Sequence, residues 1–367
     1  MPALFDPIAL GGQPLPNRLV VSPMCQFAAH EGVAGPWHDQ HLAGLSHSGA
    51  GLMILESTAV SSEGRITPAC LGLYSDVQGE ALAGILSRIK AFSDIVPGVQ
   101  LAHAGRKGSM DLPWKGDRPL AISEGGWQTC APSSVSWGAR PVPKAMDECA
   151  MAQVIEDYVQ AARRAIAVGF RVIELHAAHG YLLHQFLTPL SNHRADRYGG
   201  TTENRMRFPR NVFEAVRRAV PAECALGVRL SGSDWHPEGL TAEDAATFAQ
   251  TLQGADYFVV SSGGAAPDAR VKVSKFYQIP MAEVVKAAVS VPVMGVGMIS
   301  EPAEANGLIA AGRVDMVALG RAFLANPRWG WRAAAELGVT MEYPYRYQAV
   351  DPRYWRLAPQ ALQGAES

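Results

Sequence analysis

The sequence predicts an α/β fold of the (β/α)8 TIM-barrel type, and three observations carry that prediction. Eight short runs are apolar at nearly every position, as strands buried on both faces are. Stretches with the 3.6-residue periodicity of amphipathic helices fall between most of them. Nearly every run also ends in a polar group or glycine able to do chemistry. A barrel gathers its strand ends around one mouth, whereas an open doubly wound sheet, the rival fold, would spread them along a line.

In order, the expected strands are residues 18–22, 52–56, 99–103, 172–176, 226–231, 257–261, 291–296 and 315–319. Their terminal groups are Ser22 then Cys25, Glu56 then Ser57, His103, His176, Arg229, Ser261, Gly295-x-Gly297 and Gly320-Arg321. Helical periodicity is plainest over 147–168, with Ile155, Val159, Ala162 and Ile166 on one face. A second helix runs from Glu203 through Phe208, Val212, Phe213 and Val216. A third spans 241–252, where Thr241 with Asp244 three residues on forms an N-terminal capping pattern. One joint recurs, a small residue or glutamine and a glycine leading into a strand: Ala50-Gly51, Val168-Gly169, Gln253-Gly254 and Ala311-Gly312. Glycine there supplies a left-handed helix end.

Two segments lie outside the barrel pattern. Residues 104–146, with Pro113-Trp114 and Gly125-Gly126-Trp127, are expected to form an excursion over the mouth after strand three. The tail from Glu342 carries Tyr343, Tyr345, Tyr347, Tyr354 and Trp355 with several arginines. So sticky a segment docks either on its own barrel or on a neighbour. The expected organisation is a single barrel over 1–341 and a tail over 342–367.

Composition excludes several classes. A chain of 367 residues, 48% hydrophobic and 18% charged, is not disordered. Net charge is −2 with no basic stripe, which argues against nucleic-acid binding. No apolar run approaches the ~20 residues that span a bilayer. The start, Met1-Pro2-Ala3-Leu4-Phe5-Asp6-Pro7, lacks the basic-then-apolar pattern of a secretory signal. Five scattered cysteines with no Cys-x-x-Cys exclude a disulfide scaffold and a cysteine-rich zinc site, and fit a reducing cytoplasm.

Four features point to chemistry. Gly295-Val296-Gly297 and Gly320-Arg321 end the last two strands, the usual phosphate position of a barrel; the plainer reading is two glycine turns and a surface arginine. His176-Ala177-Ala178-His179-Gly180-Tyr181 brings two imidazoles and a phenol out of strand four. These are N–H donors with a proton source, or else structural hydrogen-bonding residues. A metal reading lacks an acidic or cysteine ligand at metal spacing. Arg229 and Gln100 sit inside strands, where a guanidinium or an amide is costly without a partner, so both are expected at a ligand. Cys25 follows strand one and reads equally as a buried thiol. His38-x-x-His41, between Trp37 and Leu42, reads as an ordinary helix start.

The ordered set of motifs resembles the old yellow enzyme family of flavin-dependent ene-reductases, in the branch of bacterial xenobiotic reductases and thermophilic-like enzymes. The set is Asn17-Arg18 leading to Ser22-Pro23-Met24-Cys25-Gln26, Glu56-Ser57-Thr58-Ala59-Val60 with Glu63-Gly64-Arg65, and Gln100-Leu101-Ala102-His103-Ala104-Gly105-Arg106-Lys107. His176 to Leu182, Ser191-Asn192, Arg197-Tyr198-Gly199-Gly200, Glu203-Asn204-Arg205 and Gly320-Arg321 follow. The resemblance runs from Leu4 to about Gly338. It implies a barrel holding FMN non-covalently and oxidising NAD(P)H. On that likeness Pro23, Met24 and Cys25 line the flavin, with Cys25 tuning its potential. Ser57 and Gln100 bond its pyrimidine edge, and Arg229 stabilises negative charge on the reduced ring. Gly295, Gly297, Gly320 and Arg321 hold the phosphate. His176 and His179 bind the substrate oxygen and Tyr181 donates the proton.

Three departures stand out. Phe27 occupies a position where the branch usually has tyrosine, which implies a more apolar substrate pocket. Val296 stands where xenobiotic reductases can carry tryptophan, which implies a roomier one. The tail does not align, so Arg346, Arg353, Tyr345 and Trp355 all remain candidates for reaching a neighbour's site. The expected function is an NAD(P)H-dependent, cytoplasmic ene-reductase acting on small activated alkenes, assembled as a homo-oligomer, a dimer or tetramer, without membrane or metal. The alternatives are another FMN barrel, a metal-dependent lyase or hydrolase, and a non-enzymatic phosphate-ligand barrel.

Overall fold

The structure, a computed structural model, describes residues 2–351 and 353–355. Eight parallel strands close into a barrel. They are β1 (Leu19–Val21), β2 (Leu52–Ala59), β3 (Val96–Ala102), β4 (Val172–Ala177), β5 (Ala225–Ser231), β6 (Tyr257–Ser261), β7 (Val293–Gly295) and β8 (Met316–Leu319). Each pairs with its neighbours in sequence, and β8 pairs with β1 to close the ring. All eight fall on the expected runs.

The differences in extent have local causes. β2 continues to Ala59 through a register shift between Leu55 and Ser57. Before the shift, Leu52 and Ile54 join the interior cluster while Met53 and Leu55 join the outer one. The extra residue reverses the alternation, so Ser57 comes into register with Gln100. Glu56 is thereby turned outward, with its carboxylate 3.4 Å from His38 Nε2 on the helix α1 (Pro36–Ser46). β7 is shorter than expected because Pro292, which has no N–H, precedes it.

Two apolar clusters hold the barrel. Inside, Val20, Ile54, Val172, Tyr257, Val259, Met294 and Met316 pack together. Leu10 and Leu15 of the hairpin formed by Ile8–Leu10 and Gln13–Leu15 join them. That hairpin covers the barrel floor: Gly12 lies against Ala222 and Gly11 against Asp256, just ahead of β5 and β6. Outside, alternate strand residues such as Leu101, Ile173, Leu175 and Val228 meet the helices through Tyr158, Ala162, Phe208 and Val212. Each fully buried aliphatic or aromatic side chain contributes roughly 1.5–3 kcal/mol.

Helix ends follow the sequence signals. Asp147 caps the helix Glu148–Val168 by accepting from Ala150 N–H at 2.8 Å. Thr241 and Asp244 cap each other's backbone ahead of the helix Ala242–Thr251. Gly169, Gly254 and Gly312 are left-handed as expected, with φ of 113°, 83° and 68°. The first joint differs: Gly49 takes the left-handed turn at φ 83°. Gly51 instead donates to Asn17 Oδ1, and a Cβ there would lie 3.0 Å from Asn17 O.

The excursion contains three short 3-10 turns, Gly105–Lys107, Pro113–Lys115 and Ile122–Glu124, and a two-residue parallel pairing of Cys130–Ala131 with Lys144–Ala145. It reaches over the mouth. Trp114 packs edge-on against Phe27, which follows β1, with centroids 6.2 Å apart. Arg106 ties Val135 O and Ser136 O of the excursion to Ala265 O, which follows β6. Among the described residues no helix is long and apolar enough to cross a membrane.

Candidate active site

Strand register assembles the site in layers. Ser57 pairs with Gln100, and Gln100 with Glu174. Two residues further toward the mouth His176 pairs with Arg229, and Arg229 with Val259. Residues two apart share a face. Glu174 and His176 therefore both point inward, as Arg229 does beyond Gly227.

The lower layer, together with Arg229 from the layer above, is a buried polar cluster. Gln100 Nε2 donates to Glu174 Oε1 at 2.6 Å. Burial raises the Glu174 carboxyl's pKa, against the charge of Arg229 and the Gln100 hydrogen bond. Arg229 is buried, its Nη1 donates to Ser22 Oγ at 3.2 Å, and its Nε has no protein partner. A buried guanidinium with an unused N–H calls for an acceptor. Glu174 was not among the expected site residues, although a carboxylate in the middle of an apolar run carries the same signal as Arg229.

The upper layer is the His-x-x-His turn. His176 Nδ1 accepts Ala178 N–H at 3.2 Å. His176 Nε2 lies 3.3 Å from His179 Nδ1, and the Tyr181 ring centroid lies 4.9 Å from that of His176. Burial, then the charge of Arg229, holds both imidazoles well below the ordinary histidine range, so both are neutral. Burial also pushes the Tyr181 phenol up, so it keeps its proton.

The turn is fixed from outside. His179, at φ 59°, donates its N–H to Ser231 Oγ at 3.0 Å. Its carbonyl accepts from Lys107 Nζ at 2.8 Å, and Lys107 also donates to Gly264 O at 3.0 Å. A Cβ on Gly180 would stand 2.1 Å from Gly264 O, so the loops after β4 and β6 interlock only with glycine there. The ring of His179 reaches β6, with Nε2 2.8 Å from Ser261 Oγ, and Gln278 Nε2 donates to the same hydroxyl at 2.7 Å. Gln278 was not expected at the site, Ser261 was expected only as a strand-end group, and Lys107 appeared only within a motif, without a role of its own.

Beside these layers a cavity of about 590 Å³ is lined by Pro23, Met24, Arg229, Gly297, Gly320 and Arg321, with Ser22, Ser261 and Gln278. Gly297 has φ 105°, and a Cβ there would sit 2.5 Å from Gln278 Oε1. Arg321 is exposed, with Nη2 3.2 Å from Met298 Sδ. The unused N–H of Arg229, the glycine turn and the exposed guanidinium suit an elongated ligand with an anionic end.

A family model described as the NADH:flavin oxidoreductase / NADH oxidase family matches residues 3–339. The chain belongs to this family. It is 41% identical over 360 residues to an NADH:flavin oxidoreductase of Gibberella zeae, covering 92% of this chain and 87% of that one. It is 39% identical to an NADPH dehydrogenase of Geobacillus thermodenitrificans, covering 96% and 98%. The structure of morphinone reductase in complex with tetrahydroNAD superposes with a TM-score of 0.74 at 28% identity, covering 94% and 93%. The enzyme is thus an FMN-dependent nicotinamide oxidoreductase of the old yellow enzyme family, and NAD(P)H is its co-substrate.

Three other expected residues of this flavoenzyme, Cys25, Phe27 and Gly295, are not part of the cavity lining. The segments after β1 and at the end of β2 are joined where Gln26 N–H donates to Glu56 Oε2 at 2.9 Å. Cys25, half-buried, stays a thiol because burial and then the charge of Glu56 push its pKa well up. Phe27 is half-buried at φ 51°. Gly295 lies within β7, outside the cavity lining, and a Cβ there would run into Ile279 and Val314. Its glycine serves packing between strand and helix.

Proposed function

We propose that the enzyme is an NAD(P)H:ene-reductase for activated alkenes: enones, enals, maleimides and nitro compounds. The observation that carries this is the pair of neutral imidazoles whose Nε2 and Nδ1 converge to 3.3 Å beside a protonated phenol. Bound FMN supplies the hydride relay between nicotinamide and alkene. When hydride reaches the β-carbon, an electron pair moves onto the activating oxygen. N–H groups of His176 and His179 meet that charge as an oxyanion hole, where removing one donor typically costs ~10²–10³ in rate. Tyr181 gives its proton to the α-carbon.

In this proposal Pro23, Met24 and Cys25 line the flavin, and Ser57 and Gln100 bond its pyrimidine edge. Arg229 answers its negative charge, while Gly297, Gly320 and Arg321, without Gly295, form the phosphate end. Phe27 lines the substrate side. We take 1–341 to act as one barrel unit and 342–367 as an appended tail in a cytoplasmic homo-oligomer. The scattered cysteines and the exposed tail aromatics, Tyr345 at 85% and Tyr354 at 67%, support this.

Tyr181→Phe tests the mechanism by stopped flow. A positioned acid contributes ~10²–10⁴-fold, part of which water can recover. Reoxidation by enones should slow, reduction by NAD(P)H should not, and quinone turnover should fall less. Equal slowing of both half-reactions would remove Tyr181 as proton donor.

A further inference from the structure

The protons of the two site histidines follow from their partners. A neutral imidazole carries one N–H. His176 Nδ1 is taken up as the acceptor of Ala178 N–H, so the proton of His176 is on Nε2 and faces His179. His179 has two options. With its proton on Nε2, it donates to Ser261 and offers the substrate only a lone pair. With its proton on Nδ1, it presents a second N–H beside that of His176, and its Nε2 must accept from Ser261.

Ser261 Oγ decides between them. The hydroxyl is buried, and its partners are His179 Nε2 at 2.8 Å and Gln278 Nε2 at 2.7 Å. The Gln278 amide can only donate through that nitrogen, so it occupies an oxygen lone pair. If His179 donated as well, the hydroxyl proton would be left without an acceptor in the protein, which for a buried group costs roughly 1–3 kcal/mol. Donation from Ser261 to Nε2 uses every group on the chain Gln278–Ser261–His179. The price is two N–H groups facing each other at the mouth, a pair that an incoming oxygen satisfies.

We propose that Ser261 and Gln278 are positioning residues that lock His179 as its Nδ1–H tautomer, so that both imidazoles donate to one substrate oxygen. The role rests on the oxyanion reading of the histidines given above. It links the phosphate side of the cavity to the substrate side, because Gln278 lies beneath the Gly297 turn. Every hydrogen bond of the relay runs one way, from amide to hydroxyl to imidazole.

The test is ¹⁵N NMR of the ¹⁵N-histidine-labelled holoenzyme, free and with 4-nitrophenol as an oxyanion probe. His179 should show a protonated Nδ1 and an unprotonated Nε2. In Gln278→Glu the new carboxylate takes the Ser261 proton, and the His179 pattern should invert. Ser261→Ala should scramble the pattern and weaken 4-nitrophenol about tenfold, the loss of one hydrogen bond to a charged group. Ser261→Thr, which keeps the hydroxyl, should restore both. A wild-type complex with the proton on Nε2, or a pattern unmoved in both Ser261→Ala and Gln278→Glu, overturns the lock. Enone turnover separates the two ideas: a correct tautomer in an enzyme that reduces no alkene sinks the ene-reductase proposal and leaves the lock standing. Alkene reduction with an unmoved tautomer does the reverse.

Discussion

Arg229 brings a permanent charge into the middle of a barrel strand, and its neighbours only partly answer it. Glu174 attracts it and Ser22 accepts one N–H, but Nε is left over. That unspent charge is available to a reduced, anionic flavin. Arg229→Ala should therefore lower the FMN potential and weaken FMN retention, read by dye-coupled reduction and by dialysis. If neither changes, Arg229 serves only the barrel core. Lys107 makes a pH prediction. Burial, then the charges of Arg140 and Arg106, pushes its pKa down to about 7, while the site histidines are held far below. Lys107 is thus charged below pH 7 and neutral above it. Its ammonium lies 5.1 Å from the Tyr181 ring centroid, where in the proposed mechanism a positive charge favours negative charge on the substrate. Enone reduction should fall as pH rises through about 7, and Lys107→Met should flatten that limb; an unchanged profile in the variant assigns the limb elsewhere. Arg229 and Gln100 were legible in the sequence because a polar side chain inside an apolar run is costly. Lys107 was not, since its acceptors lie 72 and 157 positions away along the chain.

Elements repeat this contrast between local and distant causes. All eight strands were legible because burial on both faces writes a continuous apolar run, and the cap at Thr241 was legible because a cap is local. The bulge in β2 was not, since nothing in Leu52 to Thr58 marks an extra residue until the partner strand fixes the register. The excursion has no periodicity to read; backbone-directed bonds from Arg106 hold it to the loop after β6. Its one aromatic contact with the segment after β1 gives a test. Phe27 meets Trp114 edge-on, so the ring lies between the barrel and the excursion, at the substrate side of the proposal. Phe27→Tyr adds a hydroxyl that, if well placed, is worth roughly 0.5–1.5 kcal/mol. Phenols and enones should bind several-fold tighter in equilibrium titrations. Unchanged or weaker binding across a ligand panel means this ring faces Trp114 alone.

At the scale of the whole molecule the tail is the feature that the barrel does not use. Its first part docks on its own chain: Tyr343 and Tyr347 pack edge-on against Trp331, with centroids 5.1 and 5.7 Å away, and Arg328 lies over Tyr347. The sequence allowed docking on self or on a neighbour, and for this part it is self. The docking site is a flank, since a cavity of about 710 Å³ lies there between Tyr345–Tyr347 and His47, Ala91 and Phe92. None of these residues lines the cavity that holds Arg229 and Gly297. Arg346, Arg353, Tyr345 and Trp355 are exposed, and residues 352 and 356–367 lie outside the described structure. The described tail residues, 342–351 and 353–355, line no part of that cavity, so they can affect substrate binding only through another copy or through general loosening of the barrel. Deleting 342–367 separates these. If the tail completes a neighbour's site, the truncated enzyme should become smaller by light scattering and its KM for enones should rise, with FMN affinity kept. Loosening would instead release FMN and lower Tm together, because Trp331 would lose its aromatic cover. The double variant Tyr345→Ser/Arg346→Ala leaves that cover in place and should reproduce the smaller size if these exposed groups make the contact. A truncated monomer with full activity would refute the neighbour's part in the site.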